Sequence, residues 1–222
     1  LSSSGYVRIE AGPAVLLADV APIGPDCLPG HAHADTLSFE LSIRGQRVFV
    51  NGGTSTYDTG PHRQEQRGTA MHNTVQVDGE DSSEVWAGFR VARRARPVEL
   101  LIDRMSDGAR LACAHEGYKR LPGRVMHRRV WQLDGRGLIV TDVLDGSWKE
   151  AIARFHLHPR STVEAGGAIM LPDGGRITWS CDGGAVRLMP GTWHPEFGRS
   201  EPNQCLEIRF TGRELVTRFE WH

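Results

Sequence analysis

The constraint that bears hardest on this chain is its period-two alternation of apolar and polar residues. Leu37-Ser-Phe-Glu-Leu-Ser-Ile43, Arg47-Val-Phe-Val-Asn51, Thr74-Val-Gln-Val-Asp78 and Cys205-Leu-Glu-Ile-Arg-Phe210 each alternate in this way. Successive side chains of a strand point to opposite faces, so such a segment buries one face and wets the other. Further strand candidates are residues 6–10, 14–19, 89–93, 98–103, 110–115, 125–133, 137–143, 151–158, 176–180, 185–189 and 215–221. Asp-Gly pairs at 78–79, 107–108 and 134–135, and Asp-Gly-Gly at 173–175 and 182–184, supply the turns between them. No segment carries helical periodicity over three turns. The expectation is an all-β fold, one continuous antiparallel β-sandwich of about fifteen strands occupying residues 1–222. Residues 52–71 are polar and lack alternation, and read as a long loop of the functional kind.

Bulk composition narrows the classes of partner. With 26 basic and 27 acidic residues the net charge is -1, which offers no general attraction for nucleic acid or an anionic membrane. No apolar run reaches the length that crosses a bilayer, so no membrane insertion is expected. Cys27, Cys113, Cys181 and Cys205 lie far apart with no CxxC pair, which argues against a thiolate zinc knuckle and against a small disulfide-stapled scaffold. They are expected as buried thiols, with up to two disulfides as the alternative. The chain starts at Leu1 rather than methionine, and is expected to have been processed or cut from a longer protein.

Chemistry concentrates in Gly30-His-Ala-His-Ala-Asp35. Two histidines two apart project to one side of an extended backbone, so both imidazoles reach one metal, or one binds metal and the other faces substrate. Asp35, on the same side, is placed to orient an imidazole from behind. Asn51 precedes Gly52-Gly53, and His72 lies just before another strand, so His33, Asn51 and His72 can converge as two nitrogens and one oxygen. A cupin barrel also uses HxH, but it wants a Glu four or five positions after the second His. Here Glu40 stands seven positions after His33, and the spacing fails.

Four blocks in order, Leu28-Pro-Gly-His-Ala-His-Ala-Asp-Thr-Leu-Ser-Phe-Glu-Leu41, Val50-Asn-Gly-Gly-Thr-Ser-Thr-Tyr57, Arg67-Gly-Thr-Ala-Met-His-Asn-Thr-Val75 and Val85-Trp-Ala-Gly-Phe-Arg90, resemble the heparinase II/III-like polysaccharide lyases. The similarity runs from about Tyr6 to beyond Pro159. It implies a C-terminal β-sandwich of the supersandwich type, packed against an N-terminal α/α toroid with an acidic polysaccharide in the cleft between them. The reaction implied is β-elimination at a uronate, in a periplasmic or secreted protein. Residue by residue, His31 matches the position facing substrate at the reaction centre, and His33 and His72 match zinc ligands. Asn51 stands where relatives place an Asp, which weakens the implied zinc site. The acid/base tyrosine and the group that neutralises the carboxylate belong to the toroid, so this chain alone is expected to be inactive.

Arg63, Arg67 and Arg90 suit uronate carboxylates through bidentate pairing, and Tyr57 suits stacking on a sugar. Trp86 is expected in the sandwich core, and His156, His158 and His194 as structural residues. Arg93-Arg-Ala-Arg96 reads as a solvated strand end. The alternative function is a sandwich that binds or scaffolds a surface polysaccharide without cleaving it.

Overall fold

The computed structural model describes residues 4–25 and 27–222. Its strands are β1 (Tyr6–Ala11), β2 (Ala14–Asp19), β3 (Phe39–Ile43), β4 (Gln46–Phe49), β5 (Val75–Val77), β6 (Val85–Trp86), β7 (Arg90–Val91), β8 (Pro97–Met105) and β9 (Gly108–His115). Then follow β10 (Met126–Asp134), β11 (Gly137–Asp145), β12 (Ala151–His156), β13 (Thr162–Val163), β14 (Ile169–Met170), β15 (Arg176–Asp182), β16 (Ala185–Trp193), β17 (Glu201–Phe210) and β18 (Glu214–Trp221).

One layer is an eight-stranded antiparallel sheet in the order β13-β14-β15-β18-β11-β10-β9-β8. The other is assembled from two four-stranded sheets, β1-β2-β3-β4 and β16-β17-β12-β5. An antiparallel bridge between Phe49 and Leu157 stitches these two together, reinforced by Val50 N–H to the His156 carbonyl at 2.9 Å and His158 N–H to the Val48 carbonyl at 2.8 Å. The alternation read from the sequence is realised along β10 and β11, where every second residue is buried.

Between the layers sits an aromatic core. Phe49 and Phe155 of the composite layer meet Phe219 of β18 with ring centroids 4.8 and 5.1 Å apart, and Phe39 meets Trp131 of β10 edge-on at 6.5 Å. Removing any one of these rings would forfeit about 3–5 kcal/mol of transfer and cavity energy.

Three expectations are amended. Residues 52–71 are not loop throughout: they contain a helix, α1 (Pro61–Arg67), and a 3-10 turn, Thr69–Met71. Pro61 opens the helix where its missing N–H costs nothing, and the helix is too short for apolar periodicity to show in sequence. Trp86 is not in the core but 52% exposed, because Val85 takes the inward position of a two-residue strand and its neighbour must face out. The four cysteines are free thiols as expected, but only Cys113 and Cys205 are buried; Cys181 is half-buried and Cys27 exposed.

Candidate active site

The cleft residues stand on loops that β3, β4, β5 and the β6–β7 hairpin anchor. Asn51-Gly52-Gly53 leaves β4 by threading between Met71 and His194. A Cβ on Gly52 would lie 2.8 Å from the Met71 carbonyl oxygen, and one on Gly53 would overlap the His194 carbonyl. Only glycines pass there, and the passage brings Thr54 to His33.

His33 and His72 converge as the sequence suggested: His33 Nδ1 lies 3.1 Å from His72 Nε2, with the rings nearly perpendicular. His72 Nδ1–H donates to the Gly68 carbonyl at 2.8 Å, which leaves its Nε2 as the acceptor. His33 Nδ1–H therefore donates to His72, and His33 Nε2 is left to accept from the Thr54 hydroxyl at 3.2 Å and from Arg63 Nη1 at 3.4 Å. Burial, then the neighbouring His72 and the Arg63 and Arg67 cations, hold His33 down to about 2, and burial holds His72 down to about 4. Both imidazoles are neutral at physiological pH.

Arg63 and Arg67 stand four apart on α1, hence on one face, and both are buried, at 1% and 0% exposure. Arg67 is spent on backbone: it donates to the carbonyls of Ala32 (3.0 Å), Trp86 (3.5 Å) and Arg90 (3.1 Å), tying the HxH loop to the β6–β7 hairpin. Arg63 donates through Nε to the Gly88 carbonyl and through Nη1 to Thr54, while its buried Nη2 has no hydrogen-bond partner. Among the described residues neither guanidinium has a carboxylate partner. Burial, and for Arg67 the adjacent Arg63 as well, lowers both below the ordinary arginine value, Arg67 to about 10.

His31 is exposed above this floor, with Tyr57 and Phe89 edge-on to its ring at 5.0 and 6.1 Å. Arg90 is exposed and lies over Trp86 at 5.9 Å. Asp35 makes no hydrogen bond to either imidazole among the described residues. It shares a cavity with Tyr6, Asp19, His31 and His33, where burial lifts Asp35 to about 7, and burial with the Asp35 charge lifts Asp19 to about 8.

The donor set fits zinc in part. Two nitrogens on a tetrahedral zinc at about 2.0–2.1 Å stand about 3.3 Å apart, close to the His33–His72 spacing, and the Gly68 carbonyl orients His72 as a ligand needs. Asn51 is committed elsewhere: its Oδ1 accepts Asn73 N–H at 3.0 Å and its Nδ2 donates to Ser38. No group of three His, Cys, Asp or Glu donors gathers among the described residues.

Sequence reasoning missed two contributors. Asn73 is fully buried and links three segments, accepting His156 N–H at 2.6 Å and donating to the Phe39 carbonyl at 2.8 Å. Arg129 donates from Nη1 to the carbonyls of Leu37 and Asn73 at 3.0 and 2.6 Å, clamping the two histidine-bearing segments from below. Its signal was present: His127 and Arg129 occupy inward positions of β10, where the alternation calls for apolar residues. The structural histidines behave as expected. His156 donates to the Ala70 carbonyl, His158 packs on Trp193, and His194 meets Gln66.

The family model for the heparinase II/III-like C-terminal domain matches residues 1–222. The chain belongs to that family. No curated protein sequence matches this heparinase II/III-like domain. Among solved structures it is similar to heparinase III, the BT4657 gene product, at 17% identity and a TM-score of 0.78, covering 99% of this chain and 35% of that one. It also resembles the heparan sulfate lyase HepC from Pedobacter heparinus, at 16% identity and a TM-score of 0.75, covering 94% of this chain and 33% of that one. At such identities the likeness is one of fold. The chain spans about a third of the length of these structures.

Proposed function

We propose that this domain forms the β-side of the cleft of a polysaccharide lyase that cleaves a uronate-containing glycan by β-elimination. The observation that carries the reading is the exposed His31 beside Tyr57, whose ring lies over a buried Arg63 guanidinium with no carboxylate partner among the described residues. A buried cation without a counter-charge is costly, and a substrate carboxylate arriving at the cleft offsets that cost. β-Elimination needs such an anion held and its charge neutralised as the proton beside it departs. His31 faces the sugar at the reaction centre, and the toroid of the whole protein supplies the acid/base and completes the cleft. The whole protein works in the periplasm or is secreted; among the described residues no helix is long and apolar enough to cross a membrane.

Zinc enters this reading as a weakly held occupant of the His33–His72 pair with Asn51 as third donor. Its binding would require His33 to move its proton from Nδ1 to Nε2, which the nearby Arg63 N–H opposes, and it would gain no carboxylate charge. Held there, zinc would brace the sandwich side of the cleft. A second reading, glycan binding without cleavage, is favoured by the neutral Asn51.

The test is His31→Ala in the full-length protein, followed by the ultraviolet absorbance of unsaturated uronate. Loss of one group that stabilises charge at a reaction centre costs about 10²–10³-fold, so turnover should fall by about 100-fold or more while glycan binding persists. Turnover equal to the unaltered protein, or no unsaturated product from any acidic glycan before mutation, would sink the lyase reading.

A further inference from the structure

Three exposed rings from three separate loops meet beside His31. Tyr57 is 44%, Phe89 42% and Phe197 65% exposed, yet Tyr57 lies 6.0 Å from Phe89 and 5.1 Å from Phe197, ring centroid to ring centroid. Each loop is tied down. Ser55 N–H donates to Gln66 two residues before Tyr57, Gly198 N–H donates to the Ser55 carbonyl next to Phe197, and Arg63 Nε donates to Gly88 next to Phe89. Gly88 is itself required there, since it has a φ of 72° and a Cβ on it would meet Thr59 at 2.9 Å. The rings thus form a preset apolar shelf on a polar cleft. Large rings held at the surface return little burial energy, and an apolar patch with a polar rim marks a binding site.

Beneath the shelf lies the buried Arg63, its guanidinium carbon 5.1 Å from the Tyr57 ring and 5.9 Å from Phe89, with Nη2 unpartnered. A pyranose has an apolar C–H face that suits an aromatic surface and a polar rim that suits donors. We propose that Tyr57, Phe89 and Phe197 form a stacking subsite for the sugar adjoining the one His31 faces, with Arg63 backing the rings by cation–π attraction. The inference rests on the glycan reading above, and it assigns Phe89 and Phe197 the part of specificity-determining residues that read ring shape rather than charge.

The experiment compares the full-length protein with its Phe89→Ala, Phe197→Ala and Phe197→Trp variants. Binding to heparan sulfate, alginate and hyaluronan oligosaccharides is measured by calorimetry at about 0.05 M and about 0.5 M salt. For the best-bound glycan, each alanine variant should weaken binding about five- to tenfold, by the same factor at both salt levels, and Phe197→Trp should restore it. In turnover the loss should fall on KM rather than kcat. Unchanged affinity would overturn the subsite, as would a lowered Tm with unchanged affinity, which marks a shelf covered by the rest of the protein. A loss confined to low salt would overturn it too, because stacking is not screened. Binding by the unaltered protein without unsaturated product would end the lyase reading and leave the subsite standing. No binding by the unaltered protein to any of the three would end both.

Discussion

This molecule holds two histidine pairs of almost the same shape in opposite electrostatic settings. His33 and His72 in the cleft lie 3.1 Å apart with ring centroids at 5.2 Å, while His115 and His127 between the sheets lie 3.2 Å apart with centroids at 5.1 Å. The inner pair ends in an ion pair. His115 Nδ1 accepts Gly117 N–H, so its Nε2–H donates to His127 Nδ1, and His127 Nε2–H donates to Asp142 at 2.7 Å. Arg129 grips the same carboxylate through Nε and Nη2 at 2.7 and 2.9 Å. Burial alone would raise Asp142, but Arg129 and His127 hold it down to about 2. The outer pair runs instead to Arg63 and Thr54, and among the described residues it meets no carboxylate. A satisfied buried network stabilises one arrangement, whereas a buried cation left without a counter-charge, close under the exposed Tyr57 ring, can still be offset by an anion from outside.

The strongest way to break that comparison is Asp142→Asn, which strands Arg129 and the inner pair. Loss of one partner of a buried ion pair costs about 3–5 kcal/mol, so Tm should fall by about 6–20 °C in a thermal melt. A fall of only a degree or two would mean the inner network is as uncompensated as the outer one.

Acidity sharpens it next. His33, His72, His115, His127 and His156 all have folded values below the ordinary histidine value of 6.5, so between about pH 4 and 6.5 the unfolded chain binds more protons and stability rises with pH. Asp35 and Asp19, raised to about 7 and about 8, act with the opposite sign: the folded chain holds their protons, and that contribution is lost as pH climbs through those values. Tm should therefore peak between about pH 6 and 7 and fall on both sides, more steeply toward acid. A flat profile would contradict the burial of these groups.

Asn51→Asp would give the outer pair the carboxylate that the inner pair possesses. Zinc affinity measured by competition with a chelator should tighten by roughly tenfold or more, since an anionic oxygen replaces a neutral one. No metal uptake by either form would remove the metal from the picture. The smallest effect belongs to Arg63→Met. Because Arg63 has no carboxylate partner to strand among the described residues and loses only its bonds to Gly88 and Thr54, stability should change by about 1–2 kcal/mol, while glycan affinity falls. A loss as large as that of Asp142→Asn would show that the two settings are equivalent after all.

Much of this was legible in the chain. Strand β2 was read with its bounds intact, and the convergence of His33 with His72 followed from two local motifs. What escaped reading depended on partners far apart in sequence. Arg63 and Arg67 look like arginines on a polar loop, and nothing local says that a two-turn helix turns both inward beneath the hairpin of Trp86 and Arg90. Asn51 has the right chemistry for a ligand, yet its amide is claimed by Asn73 and Ser38, a choice made by loop packing. Phe89 and Phe197, 108 positions apart by number, give no hint that both meet Tyr57.

The sequence by itself determined the all-β architecture and the HxH pair, because alternation and spacing act over two to four residues and survive any arrangement of the strands. Tertiary structure alone decided which buried charges found counter-charges. The register that sets Arg129 opposite Asp142 and His127 opposite His115 gave the inner pair its carboxylate. Among the described residues no strand register delivers one to Arg63, and that difference is what turns two similar histidine pairs into a structural clamp and a candidate site.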